Sequence, residues 1–318
     1  MQPIFLKPTF KERIWGGDRL RSEFGFNIPS DHIGEAWVIS AHPNGVSTIT
    51  YPDYHLNKGL DQLYRERSHL FGQHPPKDFP LLVKIIDAKE DLSVQVHPND
   101  AYAYKHAGER GKAECWYILD AEPGASIIYG HNAIEPEEFE RMIEQGEWRE
   151  LLTEVKVKPG DFFDVPAGTI HAIGKGIMLL EIQQSSDTTY RLYDYDRTDN
   201  EGNYRDLHLE QAKAVTRVPH EGSPFNREAE EQVPDSIVRL IETPQYKVDK
   251  IKVSNRVDLT DINPYLMLTV IDGKGYLDME GQHYEIRKGN SFILPKDSRE
   301  ATFTGQLEMI MAKPMDHR

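Results

Sequence analysis

The sequence of 318 residues contains a single cysteine, Cys115. One thiol excludes an intramolecular disulfide and any metal site built from several cysteines, and it agrees with a reducing compartment. No segment stays apolar for the roughly 20 residues that span a bilayer, and residues 1–10 have no basic stretch followed by an apolar one. We therefore expect a cytoplasmic protein with no membrane contact.

Positive charge is also scarce. Lys and Arg number 37 against 52 Asp and Glu, which gives a formal net charge of -15. Such a chain repels nucleic acids and anionic membranes, so both are excluded as expected partners. The hydrophobic fraction of 38% and the charged fraction of 28% are typical of a globular protein with a well-solvated surface.

The apolar pattern predicts a mainly β protein. Short apolar runs bounded by Gly, Pro or Asp predict strands within residues 79–96 and over residues 115–119, 126–129, 162–165 and 177–182. Helix-face spacing over residues 60–71 and 139–152 predicts a few peripheral helices.

A repeated pattern indicates two related β domains. Residues 160–171 and 289–300 place Gly and Pro at matching intervals, the rhythm of a double-sheet jelly roll or cupin. Residues 219–235 carry three prolines and little to bury, so we expect a linker there, a catalytic domain over 1–218 and a second cupin-like domain over 236–318. Because Glu300 occupies the position of His171, we expect the second domain to be metal-free.

Four residues of the first domain form a candidate metal site. Gln95 and His97 are two apart on a predicted strand and so point to one face. Glu114 begins another strand, and His171 follows the Gly- and Pro-containing turn. Together they form an N2O2 donor set suited to zinc, manganese, iron or cobalt. Among 13 histidines several have no such role, so the joint pattern carries the hypothesis.

Three cations accompany this set in an otherwise acidic protein: Lys84, Lys112 and Arg191. Each has an ordinary reading as a solvated surface charge. Lys84, however, interrupts the apolar run 81–86, where an unpartnered ammonium would cost several kcal/mol. The three predict a binding site for an anion. Cys115 should point away from the neighbouring Glu114, so we assign it no catalytic role.

The segments that carry these residues resemble a known family. Residues 92–98 (LSVQVHP), 112–117 (KAECWY), 165–173 (VPAGTIHAI) and 181–191 (EIQQSSDTTYR) resemble the signature segments of type I mannose-6-phosphate isomerases, cupin enzymes, in the same order. The resemblance is fullest over residues 80–191 and looser towards the C terminus. The chain is shorter than members with a helical insertion, and Gly111 stands where some have histidine.

The resemblance implies roles for individual residues. In that family one zinc ion is bound by residues matching Gln95, His97, Glu114 and His171. Catalytic residues match Arg191, Lys112, Lys84 and Asp187. Positions near the substrate match Trp15, Glu35 and Ser93.

The implied reaction interconverts mannose 6-phosphate and fructose 6-phosphate through an enediol. Arg191 would stabilise the enediolate, Lys112 or a metal-bound group would move the proton, and Lys84 and Asp187 would assist ring opening. A non-catalytic sugar-phosphate-binding cupin and, further away, an iron-dependent cupin oxygenase are the alternatives. The sequence leaves the oligomeric state and the preference among aldose 6-phosphates open.

Overall fold

The computed structural model describes residues 1–199, 201–230 and 233–315, and β strands predominate among them. Within these residues the strands are β1 (Ile4–Lys7), β2 (Thr9–Gly17), β3 (Ile33–Ile39), β4 (Thr48–Tyr51), β5 (Leu81–Ala88), β6 (Val94–Val96), β7 (Glu114–Ala121), β8 (Ser126–His131), β9 (Leu152–Lys156), β10 (Phe162–Val165), β11 (His171–Ile173), β12 (Ile177–Gln184), β13 (Tyr190–Tyr193), β14 (Ser236–Glu242), β15 (Tyr246–Val253), β16 (Arg256–Thr260), β17 (Leu266–Met279), β18 (Gln282–Arg287), β19 (Ser291–Leu294) and β20 (Glu300–Pro314). The α helices are α1 (Arg19–Phe24), α2 (Leu60–Glu66), α3 (Asp100–His106), α4 (Pro136–Gln145), α5 (Trp148–Leu151) and α6 (Leu209–Val215). The prediction of a mainly β fold with a few helices is confirmed.

The described residues form three antiparallel sheets. A six-stranded sheet, in the order β10-β7-β12-β5-β2-β3, packs against a five-stranded sheet, β13-β6-β11-β8-β9, and these two form the N-terminal unit. A nine-stranded sheet forms the C-terminal unit, in which the long strands β17 and β20 pair with each other. Its apolar interior is a separate cluster that includes Leu268, Phe292 and Phe303.

The six-stranded sheet is covered on both faces, because the nine-stranded sheet packs on the side opposite the five-stranded one. β5 and β12 are consequently buried along their whole length, as their apolar sequences predict. On β7 the side chains alternate: Cys115 joins the core shared with the C-terminal unit, while Trp116 faces the interior of the N-terminal unit.

The repeated sequence pattern of residues 160–171 and 289–300 has positive φ angles at matching positions in both units. Gly160 and Gly289 have φ values of 91° and 92°, and Gly168 and Asp297 have 87° and 62°. These left-handed conformations favour glycine and are tolerated by aspartate in tight turns. Gly160 and Gly289 directly precede β10 and β19, and Gly168 and Asp297 lie in the turns that lead to β11 and β20, so the sequence repeat corresponds to a structural one.

The sheets cross the predicted domain division. β1 pairs with β19 and β4 pairs with β1, so two N-terminal strands extend the nine-stranded sheet. In the predicted linker, Arg227 exchanges two backbone hydrogen bonds with Phe162 of β10. This stretch therefore lies along the N-terminal unit. The boundaries themselves remain a prediction, and residues 231, 232 and 316–318 lie outside the described part.

Among the described helices, none has both the length and the apolar character needed to cross a membrane.

Candidate metal centre and active site

Three of the predicted ligands come together between the two sheets of the N-terminal unit. Glu114 begins β7 in one sheet, His171 begins β11 in the other, and His97 follows β6, the neighbour of β11. One donor atom from each lies within 4.8 Å of the others, and all three side chains are buried. Gln95, directly opposite His171 on β6, places its amide nitrogen 3.4 Å from Nε2 of that histidine.

Each of the two histidines donates a hydrogen bond from Nδ1, which leaves its Nε2 without a proton. Nδ1 of His97 donates to the carbonyl of Thr188 at 3.0 Å, and Nδ1 of His171 donates to that of Thr169 at 2.9 Å. Nε2 of each ring therefore presents its lone pair to the cluster. Burial lowers the pKa of both histidines, that of His171 to about 4, so both rings are neutral at pH 7.

The spacing of the donors suits a small divalent cation. The Glu114 oxygens lie 3.5 Å from Nε2 of His97 and 3.3 Å from Nε2 of His171. Ligands in a tetrahedron with metal bonds of about 2.1 Å stand about 3.4 Å apart. The Glu114 carboxylate is also fully buried, and burial together with the Glu181 carboxylate raises the pKa of Glu114. The residues present thus fit the metal ion that the sequence predicts.

Lys112 contacts this cluster directly. Its Nζ lies 2.9 Å from Nε2 of His97 and 2.8 Å from Oε2 of Glu114, and the side chain is buried. The ammonium group thus lies against two of the three donor atoms. A metal ion bound there would repel it towards the adjoining cavity.

A second group of buried charges, formed by Lys84, Glu181 and Glu35, lies beside Lys112 and the predicted metal ligands. Nζ of Lys84 is 3.0 Å from Oε1 of Glu181, its cross-strand partner on β12, and both are nearly inaccessible. Burial opposes the charged lysine, yet Glu181 and Glu35 together raise its pKa. Burial likewise opposes the charged form of Glu35, but Lys84 and Arg13 lower its pKa to about 2. The network stays ionised at neutral pH.

A cavity of about 460 Å³ opens beside the cluster. Its lining includes these predicted site residues: Trp15, Glu35, Lys84, Ser93, Gln95, Lys112, Asp187 and Arg191. With His97, Glu114 and His171 next to them, all the residues singled out from the sequence share one region. Another cavity of about 550 Å³ lies on the opposite face of β7, beside Tyr117 and Lys250, away from the three donors.

Hydrogen bonds hold Arg191 and Asp187 at the cavity wall. Nε of Arg191 donates to the hydroxyl of Ser93 at 3.1 Å, and one terminal nitrogen donates to the carbonyl of Asp206 at 2.8 Å. Burial and the nearby Arg205 lower the pKa of Arg191, which remains a cation at neutral pH. Asp187 accepts a hydrogen bond from Asn44 at 2.8 Å.

The sequence analysis did not select four charged residues that line this cavity: Glu12, Arg13, Glu181 and Arg205. A signal existed for Glu181, since a carboxylate inside the apolar run 177–182 needs a buried partner, as Lys84 does. Arg13 pairs with Glu35, and Arg205 is held by Asp194 with a 2.7 Å hydrogen bond. Both lie in segments without a strong apolar pattern, so only the fold reveals them.

Two tryptophans next to the site and the single cysteine are buried in the interior. Trp37 and Trp116 are fully buried. Cys115 lies on the face of β7 opposite Glu114, where burial raises the pKa of its thiol.

Comparisons with known proteins agree over the whole chain. Residues 4–130 match the family described as phosphomannose isomerase type I, catalytic domain, and residues 236–314 match mannose-6-phosphate isomerase, cupin domain. A mannose-6-phosphate isomerase of Streptococcus mutans is 49% identical over 97% of both chains. The isomerase ManA of Bacillus subtilis is 50% identical over 98% of both. A crystal structure of the B. subtilis mannose 6-phosphate isomerase superposes with a TM-score of 0.94 at 42% identity, covering 98% of this chain and 100% of the other.

Proposed function

Because the chain belongs to the type I phosphomannose isomerase family, we propose that it interconverts mannose 6-phosphate and fructose 6-phosphate with one zinc ion per chain. The observation that carries this proposal is the buried His97, Glu114 and His171 cluster at the edge of a cavity lined with cations. A sugar phosphate is a dianion, and an enediolate adds further negative charge, so both suit such a wall. The lone buried cysteine suits a cytoplasmic enzyme.

His97, Glu114 and His171 would hold the zinc ion, and Gln95 is close enough to be a fourth ligand. When bound, zinc supplies Lewis acidity that polarises the carbonyl and hydroxyl oxygens of the sugar. Neutral imidazoles and a carboxylate match zinc in ligand type and charge.

The proton has to move between two neighbouring carbon atoms of the open-chain sugar. We assign this step to Lys112, which lies beside the ligand cluster and lines the cavity, or to a metal-bound group. Lys84 suits the role less well, since Glu181 and Glu35 keep its ammonium charged. Lys84 and Asp187 would instead position the sugar and assist ring opening.

Arg191 would stabilise the enediolate. Its two hydrogen bonds, to Ser93 and to the carbonyl of Asp206, leave one terminal nitrogen without a partner among the described residues. A guanidinium fixed in this way offers a donor that needs no reorganisation when charge develops. Arg205 lines the same cavity and adds positive charge for the phosphate.

The test is a coupled assay of mannose 6-phosphate conversion, with zinc determined on the same sample. We expect turnover with about one zinc per chain, lost on chelation and restored by zinc. Full activity of metal-free protein would overturn the metal assignment. A zinc-loaded protein that binds the sugar phosphate without converting it would favour the non-catalytic cupin, and oxygen consumption with iron would favour the oxygenase.

A further inference from the structure

The two histidines of the ligand cluster are oriented in different ways. The carbonyl that holds His171 belongs to Thr169, in the turn just before β11, where the amide of Thr169 donates to the carbonyl of Pro166 at 3.1 Å. The carbonyl that holds His97 belongs to Thr188, 91 residues away, in the irregular segment between β12 and β13. A backbone turn fixes the first partner. The amide of the second, Thr188, donates to the Ser186 hydroxyl at 3.3 Å, and its side chain has a further partner elsewhere in the chain.

That partner lies in the loop between α3 and β7. The hydroxyl of Thr188 donates a short hydrogen bond to a carboxylate oxygen of Glu109. The other oxygen of Glu109 lies 3.5 Å from Nε2 of His42, a buried ring that packs edge-on against Trp37. One carboxylate therefore joins the segment that orients His97 to the loop before Lys112 and to the end of the six-stranded sheet.

We propose that Glu109 is a positioning residue of the metal centre, which acts through Thr188 to fix the imidazole of His97. The proposal rests on the proposed metal site. Without the Glu109 carboxylate, the Thr188 hydroxyl loses its hydrogen-bond acceptor. The Thr188 carbonyl, which orients His97, can then shift. Outer-sphere groups of this kind typically change metal affinity by roughly 10- to 100-fold.

The test uses Co²⁺ as a probe of ligand geometry, because its visible absorption depends on the coordination polyhedron. The full-length chain is loaded with cobalt, and the rate of release to an excess of chelator is measured for wild type and variants. We expect Glu109→Ala to release cobalt about 10-fold faster and to change the visible spectrum. Glu109→Gln retains an acceptor for the Thr188 hydroxyl and should stay close to wild type.

A double-mutant cycle separates positioning from a general loss of stability. Thr188→Val should resemble Glu109→Ala, and the double variant should be no worse than either single one, because both remove the same hydrogen bond. Glu285→Ala, an exposed carboxylate of the C-terminal unit, is the matched control and should leave cobalt release unchanged.

Wild-type release and spectrum in Glu109→Ala would overturn the proposal, as would additive effects of the two substitutions. In either case the cobalt-binding wild type leaves the proposed metal centre intact. Wild-type protein that takes up no cobalt or zinc would overturn the metal centre and this proposal with it.

Discussion

The turn before His171 and the turn before Glu300 both contain a residue with positive φ at the same position, but the two side chains have different surroundings. His171 points into the N-terminal unit and is 1% exposed. The Glu300 side chain is 57% exposed and lies 3.7 Å from Arg256 on the surface. The same turn thus serves an interior built around ionised groups in one unit and an apolar interior in the other.

The interiors of the two units differ in the polar groups that they bury. In the N-terminal unit, Lys84, Glu114 and Glu181 are buried charges, each of which requires a partner. In the C-terminal unit, the buried hydroxyls of Thr269 and Ser291 bond to each other at 3.0 Å beside an apolar cluster. The buried carboxylate of the C-terminal sheet, Asp249, pairs with the partly exposed Arg239, whereas the buried charges of the first unit meet in its interior, which indicates a chemical role.

We expect the largest effect from replacing the proposed metal ligand His171, the residue at which the two turns differ. His171→Asn removes one of the three donors, so we expect loss of stoichiometric zinc and a fall in kcat of at least about 1000-fold. Metal analysis and the coupled assay measure both. Glu300→Ala, at the matching position, should keep zinc and activity. Normal zinc content in His171→Asn would contradict the ligand assignment.

Removal of the buried Lys84 charge tests how much its ion pair with Glu181 contributes to stability. Lys84→Met leaves Glu181 unpaired, and we expect the free energy of unfolding to fall by about 3–5 kcal/mol. Urea denaturation followed by circular dichroism measures this. Lys156→Met, at a side chain that is 67% exposed, should change stability by less than about 1 kcal/mol. Equal effects of the two substitutions would mean that Lys84 does not stabilise the interior.

Arg191→Ala separates catalysis from metal binding. Because Arg191 lines the cavity without touching the three donors, we expect kcat to fall by about 100- to 1000-fold while zinc stays bound. Steady-state kinetics on samples of known zinc content provide the measurement. Near-normal kcat with zinc in place would exclude the proposed role in enediolate stabilisation.

The smallest effect is expected in the C-terminal unit. The double substitution Thr269→Val and Ser291→Ala removes both partners of one buried hydrogen bond, which is close to neutral when shape is retained. We expect a change in unfolding free energy below about 1 kcal/mol and unaltered turnover. A loss as large as that of Lys84→Met would show that the two interiors do not differ in the way described.

The strand pattern predicted much of this site because period-2 alternation fixes which side chains share a face. Gln95 and His97 follow that rule, and Cys115 obeys it by facing away from Glu114. Pairing between strands is not encoded in one strand alone, so Glu181 was not identified as the partner of Lys84. The same reason explains the unforeseen pairing of β1 with β19, which depends on register across nearly the whole chain.

This last pairing bears on how the protein is made. Phe5 lies opposite Phe292, so β1 pairs with a strand that is synthesised much later, and its sheet cannot close before then. The C-terminal sheet is therefore complete only when β1, from the N-terminal part of the chain, pairs with it. A fragment that starts at residue 236 would expose the edge of β19, and we expect it to self-associate more than the full chain does during size-exclusion chromatography.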